Sequence, residues 1–320
     1  MKKNIFLYLS IFCFTIVNSQ IDLNRCNVKQ KQSFTVNNIQ FTDSLFIQQS
    51  YTISTLYVSR NDGSGKITTI NGSPLGIKYA LVNDAQSYIA IVDYNNSFKI
   101  IDYPLNTIVK EIQINAATIT SAVWYKDVLI FGLKNGIIQL HSIKDKSVRS
   151  YKIHEAAIVK LKTYNSNILS ISHDNYLKEI SINQEGKVIN EVYLSKIPTA
   201  LAINPTNNKI AIGTFEGDIL ILDSKKFNIE KEFKIHKNLI TKIKFFDELR
   251  LITSSFDKKI KILNIESFNT KTLFSSKDYV MNFDFNTKKL IYSVRDGELV
   301  FLNLECNDNK GLLNLFSTFK

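Results

Sequence analysis

A strand–turn–strand pattern returns six times between residues 89 and 303, and its spacing leaves this chain few folds. In LITSSFDKKIKILN, residues 251–264, an apolar run ends at the polar turn Phe256-Asp257-Lys258, and a run alternating through Ile260, Ile262 and Leu263 follows. The same design reads IAIVDYNNSFKIID at 89–102, VLIFGLKNGIIQLHS at 128–142 and ILSISHDNYLKEIS at 168–181. It returns as IAIGTFEGDILILD at 210–223 and LIYSVRDGELVFLN at 290–303. Aligned on the polar turn, the anchors are Asn95, Asn135, Asp174, Glu216, Asp257 and Asp296, separated by 40, 39, 42, 41 and 39 residues. A degenerate earlier copy, LFIQQSYTISTLY at 45–57, puts Ser50 at the anchor. Helical repeats of this period need apolar residues three to four apart, whereas these alternate by two. One four-stranded unit cannot bury both faces of its sheet, but seven stacked around an axis can. The expected fold is all-β, a seven-bladed β-propeller of four-stranded antiparallel blades over residues 33–304.

The ends read differently. Lys2 and Lys3 precede an apolar stretch from Ile5 to Val17, and Val17-Asn18-Ser19 suits a signal peptidase, so residues 1–19 are expected to be an export signal. That stretch is shorter than the roughly 20 residues a membrane span requires, and no later segment reaches that length without charges. Residues 20–32 form an N-terminal segment in which Ile21 to Asn24 is a candidate closing strand for the ring. Leu312 to Phe319, in the tail 305–320, competes for that role. Export places the product in a periplasmic or extracellular setting. There Cys26 and Cys306, left after Cys13 departs with the signal, are a candidate disulfide.

The repeat resembles that of WD-repeat propellers over nearly all of residues 33–304. Where that family carries Trp-Asp six residues after the turn Asp, this chain has Ile101-Asp102, Leu222-Asp223, Leu263-Asn264 and Leu302-Asn303. No copy has the Trp, so the repeats are divergent. His154, Ser170 and Asp174 look like a catalytic triad, and so do His236, Thr253 and Asp257. Two sets at matching repeat positions point to structure instead, since a catalytic constellation is single and exposed. The resemblance implies that each His, Ser or Thr, and Asp forms a hydrogen-bonded structural brace, with Ile180 and Leu263 where the family's Trp would complete it. His141 occupies a Trp position and is expected to be a packing residue.

No pair of histidines has close metal-ligand spacing, and there is no phosphate-cradling Gly loop or dinucleotide fingerprint, so no metal or cofactor is expected. The formal charge is +11, but the lysines are spread evenly, which suits a solvated surface as well as an anionic partner. Export argues against nucleic acid. The residues just before the anchors should project from one end of the ring: Gln49, then Tyr94, Lys134, His173, Phe215, Phe256 and Arg295. Tyr, Phe and Arg are the types enriched where partners bind, which makes this end a candidate face for a protein or peptide. The expected function is a non-catalytic binding or scaffold module of the envelope or extracellular space. The alternatives are a propeller enzyme acting on glycans, as hydrolase or lyase, and a module for an anionic glycan or lipid.

Overall fold

Five of the seven anchor residues close a hairpin with their own side chains. The Oδ1 atoms of Asn95, Asn135, Asp174, Asp257 and Asp296 each accept the backbone N–H two residues on, at 2.9–3.3 Å. A short side-chain oxygen does this well, which is why Asn and Asp recur there. Glu216 is too long for the same bond, and in its turn Thr214 Oγ1 accepts the Asp218 N–H at 3.0 Å instead. The residue after each anchor takes the left-handed conformation: Asn96 (φ 68°), Gly136 (79°), Asn175 (64°), Gly217 (93°), Lys258 (70°) and Gly297 (91°). A tight hairpin between right-twisted strands demands that geometry.

A computed structural model describes residues 27–31, 35–50, 54–60, 68–103, 105–204, 206–286 and 288–304. They form seven four-stranded antiparallel sheets, a seven-bladed β-propeller. The blades span 36–71, 77–113, 119–152, 158–193, 198–234 and 240–275, and the seventh is 280–303 plus one more strand. That strand is Asn27–Lys31, paired antiparallel with Glu298–Asn303 in the register Asn27↔Leu302 to Lys31↔Glu298. The N-terminal side of the chain therefore completes the last blade. Ile21 to Asn24, Leu312 to Phe319, Cys26, Cys306 and residues 1–19 lie outside the described residues.

Burial peaks in the second strands and falls toward the channel and toward the rim. Second strands such as Tyr88–Asp93, Val128–Leu133 and Lys209–Thr214 are buried at every position after the first, because neighbouring blades cover both faces. Outer strands such as Val188–Tyr193 alternate between half-buried and exposed, with one face in solvent. The apolar clusters sit between blades. Ile252, Ile260 and Ile262 of blade 6 pack on Phe283, Phe285 and Tyr292 of blade 7. The ring closes where Val36, Ile39 and Phe46 of blade 1 meet Ile291, Leu299 and Phe301 of blade 7. Six of the inner strands carry a register irregularity between their first and third residues, as between Ile158 and Lys160 or Ile240 and Lys242. The seventh, in blade 1, has the same shift between Val36 and Asn38, so the channel-lining residues fall in register around the axis.

Candidate binding face and buried braces

The residues preceding the anchors share one end of the ring because a backbone bond ties each to the loop entering its own blade. The N–H groups of Tyr94, Lys134, His173, Phe215, Phe256 and Arg295 donate to the carbonyls of Gly76, Thr118, Ala157, Ile197, Leu239 and Tyr279, at 2.8–3.1 Å. Turn and entry loop thus form one rigid platform per blade. Gln49 departs from the series: its side chain is buried and its Nε2 donates to the Ile77 carbonyl, so it presents nothing to a partner.

What the platforms display is uneven. Phe215 is 54% exposed beside Ile197 at 41%, and Tyr94 is 41% exposed near Leu75 at 66%. Lys134 and His173 are also exposed. Phe256 is half-buried and stacks on Tyr279, with ring centroids 4.8 Å apart and planes 17° from parallel. The Arg295 guanidinium lies 4.4 Å from the same Tyr279 ring, and its Nε donates to Asp278 Oδ2 at 3.0 Å. Phe256 therefore belongs to a Phe–Tyr–Arg cluster bridging blades 6 and 7 rather than standing free. Tyr279 and Ile197 escape a reading confined to the turns; the aromatic or apolar residue shortly before an inner strand was the available signal.

The two look-alike triads are assembled and sealed. His154 Nδ1 lies 2.9 Å from Asp174 Oδ2, and its Nε2 lies 3.0 Å from Ser170 Oγ. In the second set, His236 Nδ1 is 2.9 Å from Asp257 Oδ2 and Nε2 is 2.7 Å from Thr253 Oγ1. Asp174 and Asp257 also accept the N–H groups of Glu155 and Lys237, which fixes the entry loops. Burial pushes both imidazoles below their ordinary pKa, with the aspartates countering in part. Burial opposes the Asp174 charge too, but His154 and the Tyr176 and Glu155 N–H groups outweigh it and hold the carboxyl below its usual range. At neutral pH each neutral ring donates through Nδ1 to its carboxylate and accepts a hydroxyl proton at Nε2. His154 and Ser170 are fully buried, as is Thr253, so neither hydroxyl can meet a substrate. Both sets are buried hydrogen-bonded networks. Asp174→Ala is expected to lower unfolding stability by about 2 kcal/mol, by stranding the buried Nδ1–H and the Glu155 N–H. Urea denaturation checks it, and a loss below about 0.5 kcal/mol would show that the brace carries no weight.

His141 is buried against Phe98 and Phe131, with ring centroids 4.9 and 5.3 Å away, in the packing position that its place in the repeat suggests. Among the described residues, no three His, Cys, Asp or Glu side chains converge as metal ligands would. No helix among them is long and apolar enough to cross a membrane.

No family model matches this chain, and neither does any curated protein. Solved structures do match, 1829 chains in all, a breadth that says the fold is common and leaves function to the site. One is the crystal structure of the computationally designed Ika8 protein, with a TM-score of 0.68. It is 14% identical, and the match covers 86% of this chain and 98% of that one. At that identity the likeness concerns the fold alone.

Proposed function

We propose that this chain is an exported, divergent WD-repeat-like propeller that works by binding, holding a protein or peptide on the end of the ring that carries its hairpin turns. The supporting observation is the exposure of apolar side chains on rigid platforms there. Phe215 with Ile197 and Tyr94 with Leu75 hold apolar surface in water on tight, backbone-tied turns, where polar residues would cost nothing. Turns whose backbone is already tied down lose little entropy when a partner covers them. Arg295, beside the Phe256–Tyr279 stack, adds a cation that a partner's carboxylate can meet.

The test is capture of partners from an extract of the protein's own cells by the mature chain starting at Gln20. Phe215→Ala/Phe256→Ala is expected to reduce recovery of a stoichiometric partner by tenfold or more, since truncating two aromatic anchors commonly removes over ~2 kcal/mol. Thermal unfolding should stay cooperative, because Phe215 contributes little to the interior. Equal recovery by both proteins would remove this face as the site.

A further inference from the structure

The axis of the ring carries a second feature, independent of the binding face. A cavity of about 770 Å³ runs between the inner strands, and its charged lining is four lysines and one aspartate. Lys160 and Lys242 stand at the first position after the register shift on blades 4 and 6. Lys162 and Lys244 follow two residues on, so the lysines form two pairs at matching depths. Blade 5, between them, has Ala200 and Ala202 at the same two positions, leaving the space between the pairs open. Blade 7 has Asn282 and Asp284 there.

The charges do not balance. Lys244 Nζ pairs with Asp284 Oδ1 at 2.5 Å and also donates to the Phe285 carbonyl. Asp284 further accepts the Phe41 N–H at 2.7 Å, so the one carboxylate is fully engaged. Lys242 has only neutral acceptors, Asn282 Oδ1 at 2.9 Å and the Ile39 carbonyl at 3.5 Å. Among the described residues, Lys160 and Lys162 make no hydrogen bond or ion pair. Four ammonium groups thus share one channel with a single carboxylate; Lys160 and Lys242 are half-buried, Lys162 is exposed to the channel, and the excess positive charge is placed to attract an anion. Their acid–base behaviour agrees. Burial pulls Lys242 down to about 8 against the pull of Asp284, and Lys244, Lys162 and Lys160 add to the lowering. Burial lowers Lys160 as well, with Lys162 adding to it, and lowers Lys162 against the pull of Asp284, with Lys244 adding to the lowering.

We propose that this channel binds a compact oxyanion carrying two or three negative charges, gripped by Lys160 and Lys162 from one side and Lys242 from the other. Lys244, held by Asp284, is the fixed edge of the site. Ammonium groups from two blades flanking a gap suit phosphoryl or polycarboxylate oxygens, each of which accepts charge-assisted hydrogen bonds. The confined volume suits a small molecule rather than a lipid surface.

Thermal unfolding and isothermal titration with pyrophosphate and with citrate, against a chloride control of equal ionic strength, test this. At a concentration a hundredfold above its dissociation constant, the favoured anion is expected to raise the midpoint by about 5 °C. Pyrophosphate binding the tighter identifies a phosphoryl site; citrate binding the tighter identifies a polycarboxylate site. Lys160→Met/Lys162→Met should weaken binding at least about tenfold. Ala202→Glu, which supplies an internal carboxylate between the lysine pairs, should abolish it and keep the question open to test should the double variant fold poorly. Absence of binding by both anions overturns the proposal. So does binding that survives unchanged in the variants, which would place the anion on the basic outer surface.

Discussion

Gly136→Ala is expected to destabilise this protein by about 4 kcal/mol, more than the loss of either brace carboxylate. A Cβ built on Gly136 would sit 1.9 Å from the His154 carbonyl oxygen, a backbone atom that cannot swing aside. The contact is close because the Gly136 carbonyl accepts two N–H groups, from Ile153 and His154, both at 3.0 Å. Those bonds draw the entry loop of blade 4 against the turn of blade 3 and aim His154 at Ser170 and Asp174. Any side chain at 136 must push the loop out, break both bonds and pull the imidazole from its partners. Gly217 stands in the same relation to His236, with a carbonyl at 2.5 Å from a built Cβ and the same two bonds from Ile235 and His236. Chemical denaturation of Gly136→Ala alone, of His154→Ala alone and of the pair checks the coupling. In the pair the loop is already released, so alanine at 136 should cost at least about 1 kcal/mol less than in the native background. Strict additivity would show that glycine and brace are independent.

Asn96 shows a second solution to the same problem. It takes the left-handed position in the blade 2 turn, where no histidine follows. Its side chain donates to the Ile114 and Ala117 carbonyls at 2.6 and 2.8 Å and accepts the Ile119 N–H at 2.7 Å. The amide thus ties down the entry loop that a His–Asp pair ties elsewhere. Glycine with histidine, as at Gly136 and Gly217, and asparagine without it, as at Asn96, are two ways to satisfy an entry loop.

The hairpins were legible because a local rule, Asn or Asp accepting the N–H two residues on, repeats with the period of the blade. The braces were legible because the same spacing occurs twice. Other features depended on contacts that spacing does not encode. Gln49 has the right offset from its anchor, but its amide is buried and bonds inward to the Ile77 carbonyl. Phe256 shares its offset with Phe215, yet Tyr279 of the following loop covers it and leaves Phe215 bare. The channel lysines read as ordinary solvated positions, since VKLKTY and TKIKF alternate as half-exposed strands do. Aligning the inner strands of the repeats would have shown Lys pairs at equal positions in blades 4 and 6 facing alanines in blade 5. The excess positive charge becomes visible only when the ring brings those strands around one axis.

Acid should loosen the fold well before its carboxylates titrate. His141 is pushed down to about 4 by burial, with Lys110 adding repulsion, from an ordinary value of 6.5. Its Nδ1 has no hydrogen-bond partner, its Nε2 meets only the neutral Gln139 Oε1 at 3.4 Å, and its ring is enclosed by Phe98 and Phe131, so no carboxylate stabilises an imidazolium there. Because the folded pKa lies below the unfolded one, the unfolded chain binds the proton first as pH falls through 6.5. Stability contributed by the neutral ring is therefore complete above that pH, declines between 6.5 and about 4, and falls no further below. For this group alone the loss amounts to about 3 kcal/mol. His154 and His236, also lowered by burial, add slope in the same direction, while Asp174 and Asp257 extend it below the usual carboxylate range. His141→Phe keeps the aromatic packing and removes the titration. Urea midpoints measured from pH 7.5 to pH 4 should fall steeply in the native protein and about half as steeply in the variant, with the two curves meeting or crossing near neutrality. Parallel curves would assign the acid lability to the braces, leaving His141 without the role its buried ring and unpartnered Nδ1 predict.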